Sequence, residues 1–365
     1  ESGERVRVAL KNMGIHLPPV HIAVNLSPAD IRKEGTAFDL PIAVGVLVSM
    51  EQLKKEETEG ILFIGELGLN GEIRPVKGVL PIVRAACENG IRKCLVPKEN
   101  EREAGMINKI EVLAASHLQQ VIEYLKAGPD KKNRVLSPYQ KKEREKEEEY
   151  SPDFADIIGQ ESAKRAAVIA ASGFHNMLIM GPPGSGKTMI AKRMPSILPP
   201  LSEEESLEVA SVYSIAGMLD EKNPVTRKRP FLNPHHTISP YALTGGGKRP
   251  KPGIISLSHR GVLFLDELPE FKRQTLDILR QPLEDKKVQI ARTYGTFSYP
   301  ADFMLIGAMN PCPCGYYPDR NKCRCTPYEI HSYISHLSGP ILDRIDICVE
   351  APKIEIGRLQ SGEKG

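Results

Sequence analysis

The stretch GPPGSGKT occupies residues 181–188. It fits the pattern G-x-x-x-x-G-K-[ST], in which small residues let backbone N–H groups approach phosphate oxygens. The apolar run NMLIM precedes it, and a helical pattern that begins KTMIAKRM follows it. A strand, a loop and a helix in this order form the context that supports such a match. The predicted nucleotide-binding residues of the loop are Gly181, Pro182, Pro183, Gly184, Ser185, Gly186, Lys187 and Thr188.

Two acidic residues end a second apolar strand pattern, VLFLDE (262–267). Because ligands of α/β sheets bind at the carboxyl ends of the strands, Asp266 and Glu267 are predicted to face the phosphate loop. We expect Lys187 to reach the β- and γ-phosphates, and Thr188 to bind Mg²⁺. Asp266 would hold the same ion, directly or through water. Glu267 is the predicted catalytic carboxylate, which polarises the attacking water.

Two further polar residues are candidates for the same catalytic site. Asn310 ends the apolar run FMLIGAMN, where a neutral amide can orient the lytic water. The alternative is a strand-end turn before Pro311. Arg344 in SGPILDRIDI can neutralise charge on the transferring phosphoryl group, and its spacing after Asn310 suits an arginine that acts on a neighbouring subunit. Asp343 and Asp346 flank it, so a local salt bridge is the alternative.

Length and composition are those of a soluble globular protein with room for two domains. The 365 residues are 41% hydrophobic and 26% charged, with a formal net charge of +3. That small charge argues neither for nor against nucleic acid, since basic patches can be local. No apolar run reaches the roughly 18 residues that a membrane span needs, and none resembles a signal peptide. We therefore expect a cytoplasmic protein without a membrane partner.

The chain divides into four segments. Residues 1–126 and 153–350 alternate strand and helix patterns, whereas 127–152 is dense in charge and is predicted to be a solvated linker. Residues 351–365 are expected to begin a connection to a helical lid, and the helical pattern at Glu1 predicts an N-terminal truncation. The predicted strands of the first segment are HIAVNL (21–26), ILFIGEL (61–67), KCLVP (93–97) and IEVLAA (110–115). The predicted helices are LPIAVGVLVSM (40–50) and GVLPIVRAACENG (78–90).

Residues 153–350 predict an α/β fold with a parallel sheet, because buried strand patterns alternate with helices. They resemble AAA+ ATPases, which implies ATP and Mg²⁺ as cofactors. The segment DFADIIGQESAKRA is similar to the one that packs on adenine in that superfamily, which implies a cofactor contact for Ile158. More narrowly, NPHHTISPYALTGGGKRPKPGIISLSHRGVLFLDELPEF (233–271) resembles the magnesium-chelatase-like ComM/YifB family.

The ComM/YifB resemblance implies a hexameric ring motor that acts on single-stranded or branched DNA. Its implied activity is that of a branch-migration helicase in natural transformation. In that branch, a loop inserted in helix 2 and a hairpin before sensor 1 project into the ring's pore, and their counterparts here are 231–257 and 288–300. Lys248, Arg249 and Lys251 in the first of these are suited to contact DNA phosphates.

Three other side chains of the same insert are candidates for contact with bases. Tyr241, His235 and His236 could stack on bases or hydrogen-bond to them. The paired histidines could equally be a metal site or a structural feature.

Residues 20–126 resemble the Lon protease domain, an α+β fold shared with ribosomal protein S5. EGTAFDLPIAVGVLVS aligns with the segment that carries Lon's nucleophilic serine, and that position falls at Ala37. GEIRPVKGVLPIVRAACENGIRKCLVP aligns with the segment of its lysine, which falls at Leu80. Because neither side chain can do that chemistry, we expect a non-proteolytic scaffold. A shifted alignment that pairs Thr36 with Lys77 leaves a Thr-Lys hydrolase as the alternative.

Four cysteines cluster in NPCPCGYYPDRNKCRC. They are Cys312, Cys314, Cys323 and Cys325. Two C-x-C pairs could supply a closed, structural thiolate shell for Zn²⁺. Four reduced cysteines in a surface loop are the alternative. The remaining cysteines are predicted to be core residues: Cys87, Cys94 and Cys348.

Three other functions fit parts of the sequence. A metal-chelatase subunit would use the same ATPase core to remodel a protein partner, but that subunit lacks a Lon-like domain ahead of the core. An AAA+ protease is opposed by Ala37 and Leu80, and a regulatory ATPase without processive motion is the third. Because no lid with a sensor-2 arginine is visible, we expect this chain by itself to bind nucleotide weakly and turn over slowly.

Overall fold

The computed structural model describes residues 2–18, 22–27, 35–141, 152–220, 224, 227–248, 250–293 and 295–353. The chain forms two units. Unit 1 contains Glu1–Glu145 and Tyr213–Val225, and unit 2 contains Lys146–Val212 and Thr226–Gly365. Parts of several sequence predictions lie outside the described residues, namely His21, linker residues 142–151, Arg249, Tyr294 and residues 354–365.

Unit 1 combines helices with a small parallel sheet and a short antiparallel ribbon. Its helices are α1 (Ser2–Asn12), α2 (Asp39–Ser49), α3 (Val79–Glu88), α4 (Glu101–Ala104), α5 (Leu118–Lys126) and α6 (Pro129–Val135). Its strands are β1 (Ile61–Phe63), β2 (Glu66–Leu67), β3 (Ile73–Arg74), β4 (Lys93–Pro97) and β5 (Glu111–Ala115). β4 lies between β1 and β5, with all three parallel, and β2 pairs antiparallel with β3.

The helix and strand predictions for unit 1 are confirmed at α2, α3, β4 and β5. The predicted strand 61–67 divides into β1 and β2, which belong to different sheets. It breaks at Gly65, where a Cβ would lie 2.9 Å from Ile73 Cγ2, so the backbone needs a residue without a side chain. The predicted strand 21–26 is wrong: residues 22–26 are irregular, with Ile22 and Val24 about half exposed.

The boundary of unit 1 differs from the predicted one at two places. Residues after 126 are not all linker, because α6 follows α5 and Leu136 is buried in the core of the unit. The second difference is Tyr213–Val225, which sequence alone assigned to the ATPase segment. Ser214 there donates a hydrogen bond to Glu103, 2.5 Å from its carboxylate. A buried carboxylate needs such donors, and the apolar pattern cannot reveal where they come from.

Unit 2 is built on a five-stranded parallel sheet. The strands of unit 2, which include this sheet and two separate strand pairs, are β6 (Met177–Met180), β7 (Phe231–Leu232), β8 (Gly245–Gly246), β9 (Lys251–Pro252), β10 (Val262–Leu265), β11 (Lys287–Arg292), β12 (Gly295–Pro300), β13 (Met304–Met309) and β14 (Ile347–Glu350). Its helices are α7 (Glu161–Gly173), α8 (Lys187–Ile197), α9 (Glu203–Ala216), α10 (Pro240–Thr244), α11 (Ile254–Leu257), α12 (Arg273–Asp277), α13 (Arg280–Asp285), α14 (Pro327–Ser335) and α15 (Gly339–Leu342). The last turn of α9 falls within Tyr213–Val225 and is counted in unit 1.

The strand order of the main sheet is β14-β6-β13-β10-β7, and every pairing is parallel. The central strands β10 and β13 are buried along their whole length, which explains their unbroken apolar sequences. Because β6, β13 and β10 are neighbours that run the same way, the residues that follow them meet at one edge. The predicted parallel α/β sheet is confirmed, and it brings the site residues together.

Candidate nucleotide-binding site

The phosphate loop joins β6 to α8. Gly184 and Gly186 have positive φ angles of +75° and +89°, a conformation that side chains with a Cβ rarely adopt. Gly186 directly precedes Lys187, the first residue of α8. The loop therefore ends at a helix N-terminus, where the helix dipole and backbone N–H groups favour an anion.

The Lys187 ammonium is held at the mouth of this loop. Its Nζ donates hydrogen bonds to the carbonyl oxygens of Gly181 at 2.7 Å and Pro182 at 3.0 Å. Burial lowers the pKa of Lys187, while the carboxylates of Asp266 and Glu267 oppose that shift. A phosphate group would give the ammonium anionic partners in place of carbonyls. Ser185 fits the same ligand, because its Oγ is buried and has no hydrogen-bond partner within the described protein.

Thr188 and Asp266 supply oxygen atoms suited to Mg²⁺. The Thr188 hydroxyl donates to Asp266 Oδ2 at 2.7 Å, although 78 residues separate them in sequence. Mg²⁺ prefers one or two protein oxygens together with phosphate and water, which this hydroxyl–carboxylate pair leaves room for. Bound there, the ion would neutralise charge on the phosphates.

Glu267 follows Asp266 in a strained backbone conformation. Its φ of +51° is unusual for a residue other than glycine, and its backbone N–H donates to Asp266 Oδ1 at 3.0 Å. The Glu267 carboxylate lies 3.5 Å from His236 Nδ1, and the His236 ring packs on His235 with centroids 4.1 Å apart. The contact between His236 and Glu267 was not predicted from sequence, where the histidine pair was considered only for bases, metal or structure.

Asn310 follows β13 and reaches the same edge. Its Oδ1 accepts a hydrogen bond from Lys187 Nζ at 3.1 Å, so the amide faces the phosphate loop. The strand-end turn considered from sequence does not by itself account for that contact. Asn310 can thus lie beside a water that attacks the terminal phosphate.

These residues line one cavity of about 430 Å³. Its lining comprises Pro183, Gly184, Ser185, Gly186, Lys187, Thr188, Met189, Asp266, Glu267, Met309 and Asn310. The cavity unites the phosphate loop with the ends of β10 and β13, as parallel strands require.

The predicted adenine segment lies beside the phosphate loop. Ile158 is half-buried next to the fully buried Ile157. Gln160, whose role has no sequence signal, donates from Nε2 to Ser185 O at 2.8 Å and to Pro352 O at 2.7 Å. Gln160 therefore ties this segment both to the loop and to the chain that follows β14.

Arg344 is not among the residues that line the cavity. It forms an ion pair with Glu284 and donates to Pro340 O at 2.6 Å. Neither flanking aspartate is its partner in those contacts: Asp346 instead accepts a hydrogen bond from the backbone N–H of Asn176 at 2.8 Å. Arg344 thus forms a local salt bridge, but with Glu284 and not with the flanking aspartates considered from sequence.

Comparisons with known proteins cover both units of the chain. The family model described as "Magnesium chelatase, subunit ChlI" matches residues 153–359, and "Subunit ChlI of Mg-chelatase" matches residues 1–100. The chain is 45% identical to the uncharacterized protein YifB of Salmonella typhimurium and 43% identical to the competence protein ComM of Haemophilus influenzae. Each alignment covers 100% of this chain and 71% of the relative.

The chain belongs to the ComM/YifB family of magnesium-chelatase-like AAA+ ATPases. A more distant relative, Lon protease 2 of Bacillus subtilis, is 29% identical over 35% of this chain and 23% of its own length. The predicted AAA+ core and Lon-like domain are therefore confirmed. No helix in the described part of the chain is long and apolar enough to cross a membrane.

The Lon-like unit of this family member keeps no serine–lysine pair at the aligned positions. Ala37 packs against apolar residues of the core, and Leu80 is completely buried. The Leu80 backbone N–H donates to Glu103 at 3.0 Å. Lys77 is the base of the Thr36–Lys77 alternative. Its side chain packs closely on Gly217, where a Cβ would lie 2.5 Å from Lys77 Cε.

The two predicted pore segments of the AAA+ unit form neighbouring hairpins. β8 pairs with β9, and β11 pairs with β12 over six residue pairs. The Tyr299 hydroxyl donates to Pro250 O at 2.7 Å, and Arg292 Nε donates to Gly247 O at 3.2 Å. Lys248 and Lys251 lie on the first hairpin, beside a Tyr241 side chain that is 54% exposed. Arg249, the third predicted DNA contact, lies outside the described residues.

Proposed function

We propose that this protein is an ATP-driven ring motor that acts on DNA. By its membership in the family of the competence protein ComM, we infer that it is a branch-migration helicase that promotes recombination in natural transformation. ATP hydrolysis would use Lys187 and Asn310 at the phosphates and Glu267 toward the water.

The observation that carries the DNA proposal is the pair of joined hairpins. Residues 241–253 and 286–300 contain six basic residues and no acidic residue. Hydrogen bonds from Arg292 and Tyr299 connect the second hairpin to the backbone of the first. Basic side chains on glycine-rich backbone suit phosphates, and exposed Tyr241 offers a ring on which a base could stack.

A ring arrangement is supported by the position of Arg344. A residue that completes the neighbouring subunit's site should not line the cavity of its own subunit, and Arg344 is not among the residues that line it. Its local partner Glu284 is 55% exposed, so the ion pair is a weak one that a stronger anion could replace. We propose that Arg344 contacts the terminal phosphate of ATP bound by the next subunit of a homo-hexamer.

The test is ATP hydrolysis by the full-length protein with and without single-stranded and branched DNA. DNA should stimulate turnover, and a Lys248→Ala/Lys251→Ala double variant should weaken DNA binding while basal turnover stays. Because two phosphate contacts are lost, the slope of log affinity for DNA against log salt concentration should become shallower by about 2. The matched control is Lys54→Ala/Lys55→Ala, which removes two exposed lysines of unit 1.

The rival is a protein-remodelling ATPase of the chelatase kind. It is favoured by two matches, of residues 153–359 and of residues 1–100, to family models described for a magnesium chelatase subunit. If DNA neither binds nor stimulates turnover while ATP is hydrolysed, the DNA proposal fails and this rival takes its place.

A further inference from the structure

We propose that Cys312, Cys314, Cys323 and Cys325 bind one structural Zn²⁺, and that this ion fixes the loop supporting the phosphate loop and Asn310. The second part rests on the proposed nucleotide site. The first part does not.

The four sulfurs have the spacing of a tetrahedral site. All four Sγ atoms lie within 4.8 Å of one another, with Cys312 Sγ 3.4 Å from Cys314 Sγ and 3.8 Å from Cys323 Sγ. A tetrahedron with Zn–S bonds of about 2.3 Å has edges of about 3.8 Å. All four are free thiols and not disulfides. Four thiolates in a tetrahedral array suit Zn²⁺ and do not suit the oxygen-preferring ions Mg²⁺, Ca²⁺ and Mn²⁺.

The surroundings of the sulfurs also suit a closed metal site. Cys312 and Cys323 are buried, and Ile330 of α14 packs on them. The backbone N–H of Tyr317 donates to Cys312 Sγ at 3.4 Å, and that of Tyr316 interacts with Cys314 Sγ. Such N–H···S contacts orient metal-bound thiolates. Because four protein ligands leave no open position, the ion would be structural and not catalytic.

The loop between the two cysteine pairs touches the nucleotide site. A Cβ on Gly315 would lie 2.5 Å from Pro183 Cδ of the phosphate loop and 3.7 Å from Asn310 Cγ. Gly315 has a φ of +85°, and its N–H donates to Cys312 O at 2.9 Å. The cysteine loop thus packs directly on one wall of the cavity.

A second contact runs from the same cluster through α14. The helix begins at Pro327, two residues after Cys325, and its Tyr333 hydroxyl contacts the Asn310 backbone. Asn310 is therefore held from the cysteine loop and from α14, both of which the metal would fix. Loss of the ion would free both supports of Asn310 while leaving the residues of the phosphate loop unchanged.

The first test is zinc content of the full-length protein, purified without chelator and measured by mass spectrometry. The prediction that Cys348 is a core residue is wrong, because it is exposed on β14 and lies outside the cluster. We therefore expect one zinc per chain both in the wild type and in Cys348→Ser. Cys323→Ser removes a proposed ligand and should lower metal affinity by more than the roughly 10- to 100-fold that loss of an outer-shell partner costs. Cobalt substituted for zinc should give the absorption bands of a tetrahedral thiolate site. A wild type without zinc, or a Cys323→Ser protein with the zinc content and affinity of Cys348→Ser, overturns the site.

The second test separates the metal from its effect on the nucleotide pocket. Gly315→Ala removes no ligand, so zinc should remain at one per chain, while the affinity for a fluorescent ATP analogue should fall because the added Cβ would press on Pro183 of the phosphate loop. Full affinity in the zinc-depleted wild type would overturn the coupling between the metal and the nucleotide pocket, whereas Gly315→Ala tests only the contact of the loop with Pro183. If the wild type binds no ATP at all, the proposed function fails, whereas zinc content still decides the metal site.

Discussion

Units 1 and 2 each contain a helix that starts directly after a glycine in the left-handed conformation. Gly78 precedes α3 with a φ of +78°, and Gly186 precedes α8 with a φ of +89°. At α8 the first residue is Lys187, whose ammonium lies at the edge of a cavity. At α3 the second residue is Leu80, completely buried, and its N–H is already bonded to Glu103.

The difference teaches that a helix start binds a ligand only where its polar groups are left for one. In unit 1 the buried carboxylate of Glu103 takes the N–H of Leu80 and the hydroxyl of Ser214. In unit 2 the Ser185 hydroxyl at the corresponding edge has no hydrogen-bond partner among the described residues, and it lies near oxygen atoms suited to a metal. The same local geometry therefore serves packing in one unit and chemistry in the other.

The largest effect should come from removing the charged groups of unit 2. Lys187→Ala should abolish ATP binding, and Glu267→Gln should leave binding intact but lower turnover by about 10²–10³-fold, because the group that polarises water is lost. Steady-state hydrolysis and nucleotide titration measure the two effects.

The matched controls lie in unit 1. Thr36→Ala and Lys77→Ala should change neither ATP turnover nor peptide cleavage, which we expect to be absent from the wild type. Peptidase activity that disappears in Thr36→Ala would establish the Thr-Lys hydrolase and break the contrast between the units.

The next effect concerns Arg344. Arg344→Ala should reduce turnover about 10²-fold with ATP affinity unchanged, because the guanidinium acts on the neighbouring site. Mixing this variant with Lys187→Ala protein should restore part of the activity. In a mixed ring, the intact phosphate loop of an Arg344→Ala subunit can lie next to the intact Arg344 of a Lys187→Ala subunit.

Glu284→Ala distinguishes that role from a local ion pair. It removes the partner of Arg344 while keeping the arginine, and turnover should persist. Turnover as low in Glu284→Ala as in Arg344→Ala would mean that the ion pair itself is what matters.

A smaller effect should separate packing from chemistry within unit 1. Leu80→Ala should lower the free energy of unfolding by about 2–5 kcal/mol, because it empties a fully buried site. Ile82→Ala on the same helix, where 39% of the residue is exposed, should cost about 1 kcal/mol or less. Denaturant titration measures both. Equal costs would show that Leu80 is not a core position.

The smallest effect is a pH dependence in unit 2. Burial lowers the pKa of His259; Glu208 opposes this shift and Arg260 adds to it. The His259 Nε2 atom lies 3.2 Å from Glu208, and its Nδ1 atom accepts a hydrogen bond from the Asp302 backbone N–H. A histidine with a lowered folded-state pKa contributes stability above its unfolded value of 6.5, and that stability is lost as pH falls below it.

The linkage sets an upper limit for this loss. If the unfolded state binds one more proton than the folded state, the free energy of unfolding falls by at most about 1.4 kcal/mol for each pH unit. The free energy of unfolding should thus fall between pH 6.5 and 5 more steeply for the wild type than for His259→Gln. Parallel curves would show that the histidine does not couple folding to protons.

Sequence by itself predicted the residues of the candidate nucleotide site to a large extent. The loop at 181–188 and the acids after β10 carry their chemistry in local order, because phosphate binding needs small residues, a lysine and a helix start in succession. Alternation of buried strands and helices likewise predicted the parallel sheet, and the replacements at Ala37 and Leu80 predicted a unit without protease chemistry.

Only the tertiary structure decided which distant residues meet. The contact of His236 with Glu267, the ties of Gln160, the assignment of Tyr213–Val225 to unit 1 and the packing of Gly315 on Pro183 have no periodic signal. Each depends on where loops of different length return to the sheet. Apolar periodicity specifies which face of an element is buried, but the partner of a polar side chain is fixed by three-dimensional proximity, which a local pattern does not contain.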